Sequence, residues 1–284
     1  MASFTNFATL SYNGGTTNSN IVTGEILEAL TAVKTAVSAN YSAGDRITYA
    51  LSLVNTGTAA ITDYTVTDNL GGYTVGANTV YPLAYNAGTV RYYINGVLQT
   101  APTVTAGPPL TVTGLTVPAG GSAVLIYETT ATPVAPLATG SSITNTATIT
   151  GGGLTTPITA QATVETANSA DLTISKALSP TTVTENGRIT YTFVISNTGN
   201  TEATATGNVV VTDTFAPILR NIAVTYNGTA WTEGTEYTYS ETTGLFASTA
   251  GAVTVPAATY TQDAVTGRYV TVPGSSTLVV SGLV

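Results

Sequence analysis

The sequence predicts an all-β protein of two sandwich domains in tandem, the second incomplete and finished by the N-terminus of another copy. Three observations carry this expectation. Thr, Val, Ala, Gly, Ser and Tyr dominate the 284 residues, a composition that favours pleated strands broken by turns. A long strand pattern occurs twice. A hairpin pattern stands before the first repeat where the arrangement calls for it after the second.

The repeat comes first. Residues 44–57 read Gly-Asp-Arg-Ile-Thr-Tyr-Ala-Leu-Ser-Leu-Val-Asn-Thr-Gly, and residues 186–199 read Asn-Gly-Arg-Ile-Thr-Tyr-Thr-Phe-Val-Ile-Ser-Asn-Thr-Gly. Both alternate as half-buried strands: Ile47, Tyr49, Leu51 and Leu53 share one face, as do Ile189, Tyr191, Phe193 and Ile195. Downstream, Val66-Thr67-Asp68-Asn69-Leu70 matches Val211-Thr212-Asp213-Thr214-Phe215, and the run from Val117-Pro118 to Tyr127 is aligned with Val272-Pro273 to Ser281. Upstream, Leu30–Ala36 matches Leu172–Leu178, with Lys34 opposite Lys176.

The hairpin is the element out of place. After Tyr127 the first repeat continues through Ile143-Thr-Asn-Thr-Ala-Thr-Ile149, three glycines, and a returning strand near 160–164, whereas the second repeat ends at Val284. Residues 4–10, Phe-Thr-Asn-Phe-Ala-Thr-Leu, carry the missing pattern, with Asn6, Ala8 and Thr9 matching Asn145, Ala147 and Thr148. The expected division is therefore a donor hairpin at 1–28, a complete sandwich at 29–167 and an acceptor sandwich at 168–284. Phe4, Asn6, Ala8, Leu10, Val22 and Ile26 are the expected donor contacts. A sandwich without its last hairpin exposes core and unpaired edges, and a lone hairpin is marginal; strand donation between copies cures both. The step from Asn6 to Lys34 resembles in length the step from Asn145 to Lys176, so each hairpin runs almost directly into the next domain. Head-to-tail contacts of this kind give open fibres unless they close into a ring; a strand-swapped dimer or fold-back are the alternatives.

Three polar residues recur on apolar faces. Lys34 shares a face with Leu30, Ala32 and Ala36, Asp68 with Tyr64, Val66 and Leu70, and Asn145 with Ile143, Ala147 and Ile149. Lys176, Asp213 and Asn6 repeat the set. Buried charge is costly unless paired or neutralised. One resolution is chemical. A desolvated lysine amine can be neutral and nucleophilic, and a protonated carboxyl beside it could polarise the asparagine carbonyl and shuttle protons. Attack with loss of ammonia leaves an amide cross-link, within one chain for Lys34 and Asn145 and between chains for Lys176 and Asn6. The other resolution is plain pairing of Lys with Asp, with Asn bonded to backbone.

Other classes are disfavoured. With no His and no Cys, the commonest general base, usual zinc ligands and thiol nucleophiles are missing, so no enzyme, metal or cofactor is expected. A net charge of −8 argues against nucleic acid, and no apolar run suits membrane insertion. The N-terminus has neither a basic region nor an apolar core, so assembly without a secretion signal is expected. Asn13-Gly14, Asn95-Gly96 and Asn227-Gly228 read as hairpin turns. Tyr92, Tyr93, Trp231, Tyr237 and Tyr239 are candidates for a sugar-stacking surface, the feature a monomeric adhesin or glycan-binding module would need, or for packing.

The Lys strand, Arg-Ile-Thr-Tyr with a following Asn-Thr-Gly, Val-Thr-Asp and Thr-Asn-x-Ala-Thr together resemble the bacterial surface repeat called domain of unknown function eleven. The resemblance implies immunoglobulin-like sandwiches, and it is similar to pilin and adhesin sandwiches in which an acidic residue assists Lys–Asn isopeptide bonds. That implies proton-shuttle roles for Asp68 and Asp213. A two-repeat chain without signal or anchor looks like the subunits of clostridial endospore appendages. The expectation is a homopolymer at the cell exterior or spore surface, with an anchor or tip protein as a further partner class.

Overall fold

A computed structural model describes residues 2–26 and 29–284. The chain divides into two compact units, Met1–Ala135 with Ser142–Glu165, and Pro136–Ser141 with Thr166–Val284. Strands account for nearly all regular structure, and no α-helix occurs among the described residues.

The first unit is a two-sheet sandwich. One sheet runs in the order Val97–Leu98, Arg91–Ile94, Ser122–Ala131, Arg46–Asn55, Leu30–Ala36. The other runs Thr103–Thr105, Leu110–Val117, Ile61–Asp68, Ser142–Gly151, Ile158–Thr166, Asn40–Tyr41. The alternation seen in sequence becomes burial: Ile47, Tyr49, Leu51 and Leu53 are buried from one side, Tyr64, Val66, Ile143, Ala147 and Ile149 from the other. Each fully buried aliphatic side chain contributes about 1.5–3 kcal/mol over leaving it in water.

The second unit rebuilds the first sheet and not the second. Leu172–Ser179, Arg188–Asn197, Gly274–Leu283, Arg220–Tyr226 and Thr229–Ala230 are hydrogen-bonded in that order. Opposite them stand only three short strands, Thr212–Thr214, Leu245–Ser248 and Tyr237–Tyr239. Phe215, Phe246, Val253 and Val255 close the core against Ile189, Tyr191, Phe193, Leu278 and Val280. The segment matching Ile61–Asp68 is interrupted by a 3₁₀ turn at Ala205–Gly207, ending on Asn208 in the left-handed region (φ 51°).

The structure moves one part of the repeat alignment. Asn55 Nδ2 donates to the Pro118 carbonyl at 3.0 Å, and its counterpart Asn197 donates to the Pro256 carbonyl at 3.0 Å. Tyr92 hydroxyl bonds the Thr116 carbonyl and Tyr226 hydroxyl the Thr254 carbonyl. Val255-Pro256, and not Val272-Pro273, therefore stands where Val117-Pro118 does. Residues 257–273 are an excursion holding the hairpin of Thr259–Gln262 with Tyr269–Val272. Tyr127 lies opposite Tyr49, while Tyr191 lies opposite Val280, so Val280 and not Ser281 takes Tyr127's place.

At the N-terminus, Ala2–Asn6 pairs with Val22–Ile26 and Thr9–Tyr12 with Gly15–Asn18, and among the described residues neither pair joins another sheet. The tip turn at Asn13-Gly14 has positive φ at both residues (35° and 81°), the geometry that two-residue hairpins require. Phe4, Asn6, Ala8, Leu10 and Val22 are all exposed. Asn6 faces Val22 as Asn145 faces Ala162, and Phe4 faces Gly24 as Ile143 faces Val164. The Phe4 ring fills the space that a side chain at 24 would need.

Candidate functional site

In the first unit the three predicted residues meet. Lys34 points inward from Leu30–Ala36, and its Nζ lies 2.5 Å from Asp68 Oδ2 with both side chains at most 1% exposed. Leu70, at the positive-φ turn that ends the Asp68 strand, donates its N–H to Asp68 Oδ1 at 2.9 Å. Tyr127 hydroxyl donates to the same Oδ2 that Lys34 holds.

Asn145 comes from the neighbouring strand. Ala147 is the register partner of Asp68, so Asn145, two residues earlier on the same inward face, is its diagonal neighbour. Its side chain is 0% exposed. The hydroxyls of Tyr49 and Tyr127 lie beside its amide, yet neither Oδ1 nor Nδ2 makes a hydrogen bond of acceptable geometry. A buried amide left so costs about 1–3 kcal/mol per unpaired group. Tyr49 hydroxyl is likewise buried and unpartnered. Its ring stacks on Tyr127 at 5.8 Å and carries Lys34 Nζ at 4.8 Å from its centre.

Desolvation lowers the Lys34 pKa to about 8, with the Asp68 charge and hydrogen bond opposing the fall. Burial pushes the Tyr49 and Tyr127 hydroxyls up, and nearby Asp68 adds to the rise. A stability profile follows for Asn145→Ala, in which Lys34 keeps its free amine. Between about pH 8 and pH 10 the unfolded chain holds the Lys34 proton more tightly than the folded one, so stability rises with pH. Above about pH 10 the unfolded tyrosines ionise while the buried ones do not, and stability falls. Urea melts of Asn145→Ala across this range check the rise, and Lys34→Met added to it should abolish that rise.

The second unit assembles two members of the set. Lys176 Nζ is paired with Asp213 Oδ2, with the side chains 40% and 17% exposed. Asp213 Oδ1 accepts the Thr214 N–H at 2.9 Å, and Lys176 lies 4.4 Å from the centre of the Tyr191 ring. The sequence pattern put Lys176 on an inward face; it is on that face, but nothing in the unit covers it. From Ile174 to Ser179 every residue is exposed, Lys176 included, whereas Lys34 at the matched position is buried. An open groove of about 300 Å³ runs along Leu172, Ile174, Ile195, Val209, Val210 and Val211. It lies where the first unit has its Ser142–Gly151 and Ile158–Thr166 hairpin. Asn6, the remaining predicted member, is on the exposed N-terminal hairpin, and nothing of the Ile26 side chain lies within the described residues.

Four of the five aromatic candidates are packing groups, and Tyr93 is half-buried. Tyr92 and Tyr237 are buried. Trp231 stacks on Tyr226 at 5.0 Å, Tyr237 stacks on Phe246 at 5.5 Å, and Tyr239 hydroxyl donates to the Leu219 carbonyl at 2.8 Å. No cluster of three or more metal-ligating residues occurs among the described residues. The sequence pattern missed the roles of Tyr49 and Tyr127 beside Asn145. Tyr49 was visible as a repeated residue; Tyr127 was not, because its counterpart is Val280.

No family model and no curated protein matches the chain. Solved structures do. The major pilin subunit of Bacillus cereus is 14% identical, with a TM-score of 0.38 over 87% of this chain and 66% of that one. The pilus backbone of Streptococcus pneumoniae is 12% identical, with a TM-score of 0.36 over 86% and 55%. The full-length major pilin of Corynebacterium diphtheriae is 14% identical, with a TM-score of 0.36 over 58% and 41%. The chain spans less than two thirds of the length of each of these proteins.

Proposed function

We propose that this chain is a structural subunit that polymerises head-to-tail, each N-terminal hairpin completing the second sandwich of a neighbouring copy. One observation carries the reading: a single chain holds the repeat once covered and once bare, together with an exposed hairpin in which Ala2–Asn6 and Val22–Ile26 keep the register of the covering hairpin, while its tip strands are shifted by one residue. In the first unit Ala147, Thr148 and Ile149 pair with Asp68, Thr67 and Val66. A donated hairpin in the same register sets Ala8, Thr9 and Leu10 against Asp213, Thr212 and Val211. Phe4, Leu10 and Val22, each more than half exposed in the chain alone, then enter the groove, for about 1.5–3 kcal/mol per fully buried side chain.

The same docking delivers Asn6 to Lys176 and Asp213, as Asn145 stands to Lys34 and Asp68. Pairing alone accounts for Lys34 and Asp68. It leaves the Asn145 amide buried with no partner, and condensation with Lys34 accounts for that. A proton passes from the Lys34 Nζ ammonium to Asp68 Oδ2, the neutral amine attacks Asn145 Cγ, and Asp68 passes that proton to the departing nitrogen and takes up the second proton that Nζ sheds. The Nζ–Cγ bond forms, the Cγ–Nδ2 bond breaks, and ammonia leaves. In the second unit this reaction welds neighbouring subunits.

The family resemblance extends the reading to filaments at the cell exterior or on a spore surface, finished by an anchor or tip protein. Electron microscopy of purified protein tests the polymer. The full chain should form fibres, and a chain lacking residues 1–26 should remain discrete particles. Fibres from the truncated chain would overturn donation by the hairpin.

A further inference from the structure

We infer that Tyr49 is a catalytic residue of the Lys34–Asn145 condensation: its hydroxyl donates to the oxyanion that develops on Asn145 Oδ1, while Tyr127 is a positioning residue holding Asp68. The inference rests on the condensation reading above and assigns the two side chains it does not use.

The geometry separates the roles. Tyr127 hydroxyl is committed to Asp68 Oδ2, the oxygen that also takes the Lys34 bond. With the Leu70 N–H on Oδ1, this fixes the carboxyl plane that must receive and return the proton. Tyr49 hydroxyl makes no hydrogen bond of acceptable geometry. It is buried next to the Asn145 amide, whose N–H side is turned toward it and whose oxygen is buried without a partner. A native core carries few such orphans, and two adjacent ones are unexplained by packing. Attack at Cγ turns the carbonyl into a tetrahedral centre, moving negative charge onto Oδ1 and altering its direction. A donor poorly aligned to the ground-state carbonyl and free to meet the oxyanion is what differential stabilisation requires.

The electron and proton count closes. As Nζ bonds to Cγ, the carbonyl pair moves to Oδ1, where Tyr49 O–H steadies it by hydrogen bonding and keeps its proton. Asp68 carries one proton from the Nζ ammonium to Nδ2 and keeps the second that Nζ sheds after attack, the pair returns to re-form the carbonyl, and ammonia departs. Tyr49 recurs as Tyr191, above which Lys176 lies. Tyr127 does not recur, since Val280 stands in its place. The intersubunit site thus keeps the oxyanion donor and lacks the carboxyl clamp, so the internal bond forms faster than the weld.

The test uses the full chain carrying Asn6→Ala, so that only the Lys34 site can lose ammonia. Chains are made by cell-free synthesis and sampled over time by intact mass. Tyr49→Phe should slow the loss of ammonia by about a hundredfold, the scale of removing one oxyanion donor. Its melting temperature, read in a Lys34→Met background where no bond forms, should equal or exceed that of the matching Tyr49 chain, because the deleted hydroxyl had no partner. A purely structural tyrosine would give the opposite pair of results. Ammonia loss at the parent rate in Tyr49→Phe would overturn the assignment while leaving the condensation standing. A parent that never loses ammonia would remove the condensation and the assignment with it.

Discussion

Asn145→Ala should unfold the first sandwich at a temperature lower by roughly 10 °C, and far more of its chain should extend in urea. In the parent the proposed amide joins Lys34 to Asn145 across the two sheets, closing a loop on the order of a hundred residues. A covalent link of that span restricts the unfolded chain by roughly 4–5 kcal/mol in the loop-entropy account. For a domain of this size each kcal/mol moves the midpoint by about 2–4 °C. The substitution leaves Lys34 and Asp68 paired, so it reads the cross-link with little added electrostatic cost. Lys34→Ala is harsher, because it removes the same link and strands Asp68 with only Tyr127 and the Leu70 amide; an orphaned buried charge adds about 3–5 kcal/mol. Differential scanning calorimetry on the three chains checks the order parent, Asn145→Ala, Lys34→Ala. Equal midpoints for parent and Asn145→Ala would mean that no cross-link contributes.

Asn6→Ala or Lys176→Ala alone should abolish every multimer that survives boiling in detergent. Asn6 lies on the N-terminal hairpin and Lys176 on the first strand of the second repeat, and each is needed once per junction, so the effect is all-or-none. Docking itself should persist in Asn6→Ala. Phe4, Leu10 and Val22 still offer their apolar surface, and the backbone of the hairpin still offers its ladder hydrogen bonds. Fibres of this variant should therefore form and then dissolve on heating, which separates strand donation from the weld. Mixing Asn6→Ala with Lys176→Ala restores a single type of junction, from the Asn6 of one chain to the Lys176 of the other. The mixture should yield boil-resistant dimers and nothing longer.

Much of this was legible from the chain. Arg-Ile-Thr-Tyr and Asn-Thr-Gly occur twice, and period-two alternation carried Ile47, Tyr49, Leu51 and Leu53 to one face. The same alternation placed Lys34, Asp68 and Asn145 in the core, where a polar residue on an apolar face is conspicuous. Three things stayed hidden for physical reasons. Val-Pro occurs at both 255–256 and 272–273, and only the Asn197 hydrogen bond to the Pro256 carbonyl decides between them. Tyr127 was invisible because cross-strand neighbours distant in sequence are set by register, and its counterpart Val280 gave no repeat signal. The exposure of Lys176 could not be read from its own strand, since that strand alternates as Leu30–Ala36 does and burial is decided by what packs over it from elsewhere.

The central claim is that Lys176 of one subunit is joined to Asn6 of the next. Denaturing gel electrophoresis of boiled protein, with intact and peptide mass spectrometry of each band, tests it most directly. The account predicts a ladder in which every junction brings the loss of one ammonia beyond the one each subunit loses internally, and a cross-linked peptide containing Lys176 and Asn6 from every band above the monomer. A single monomer band, with the Asn6 and Lys176 peptides recovered unmodified, would contradict it.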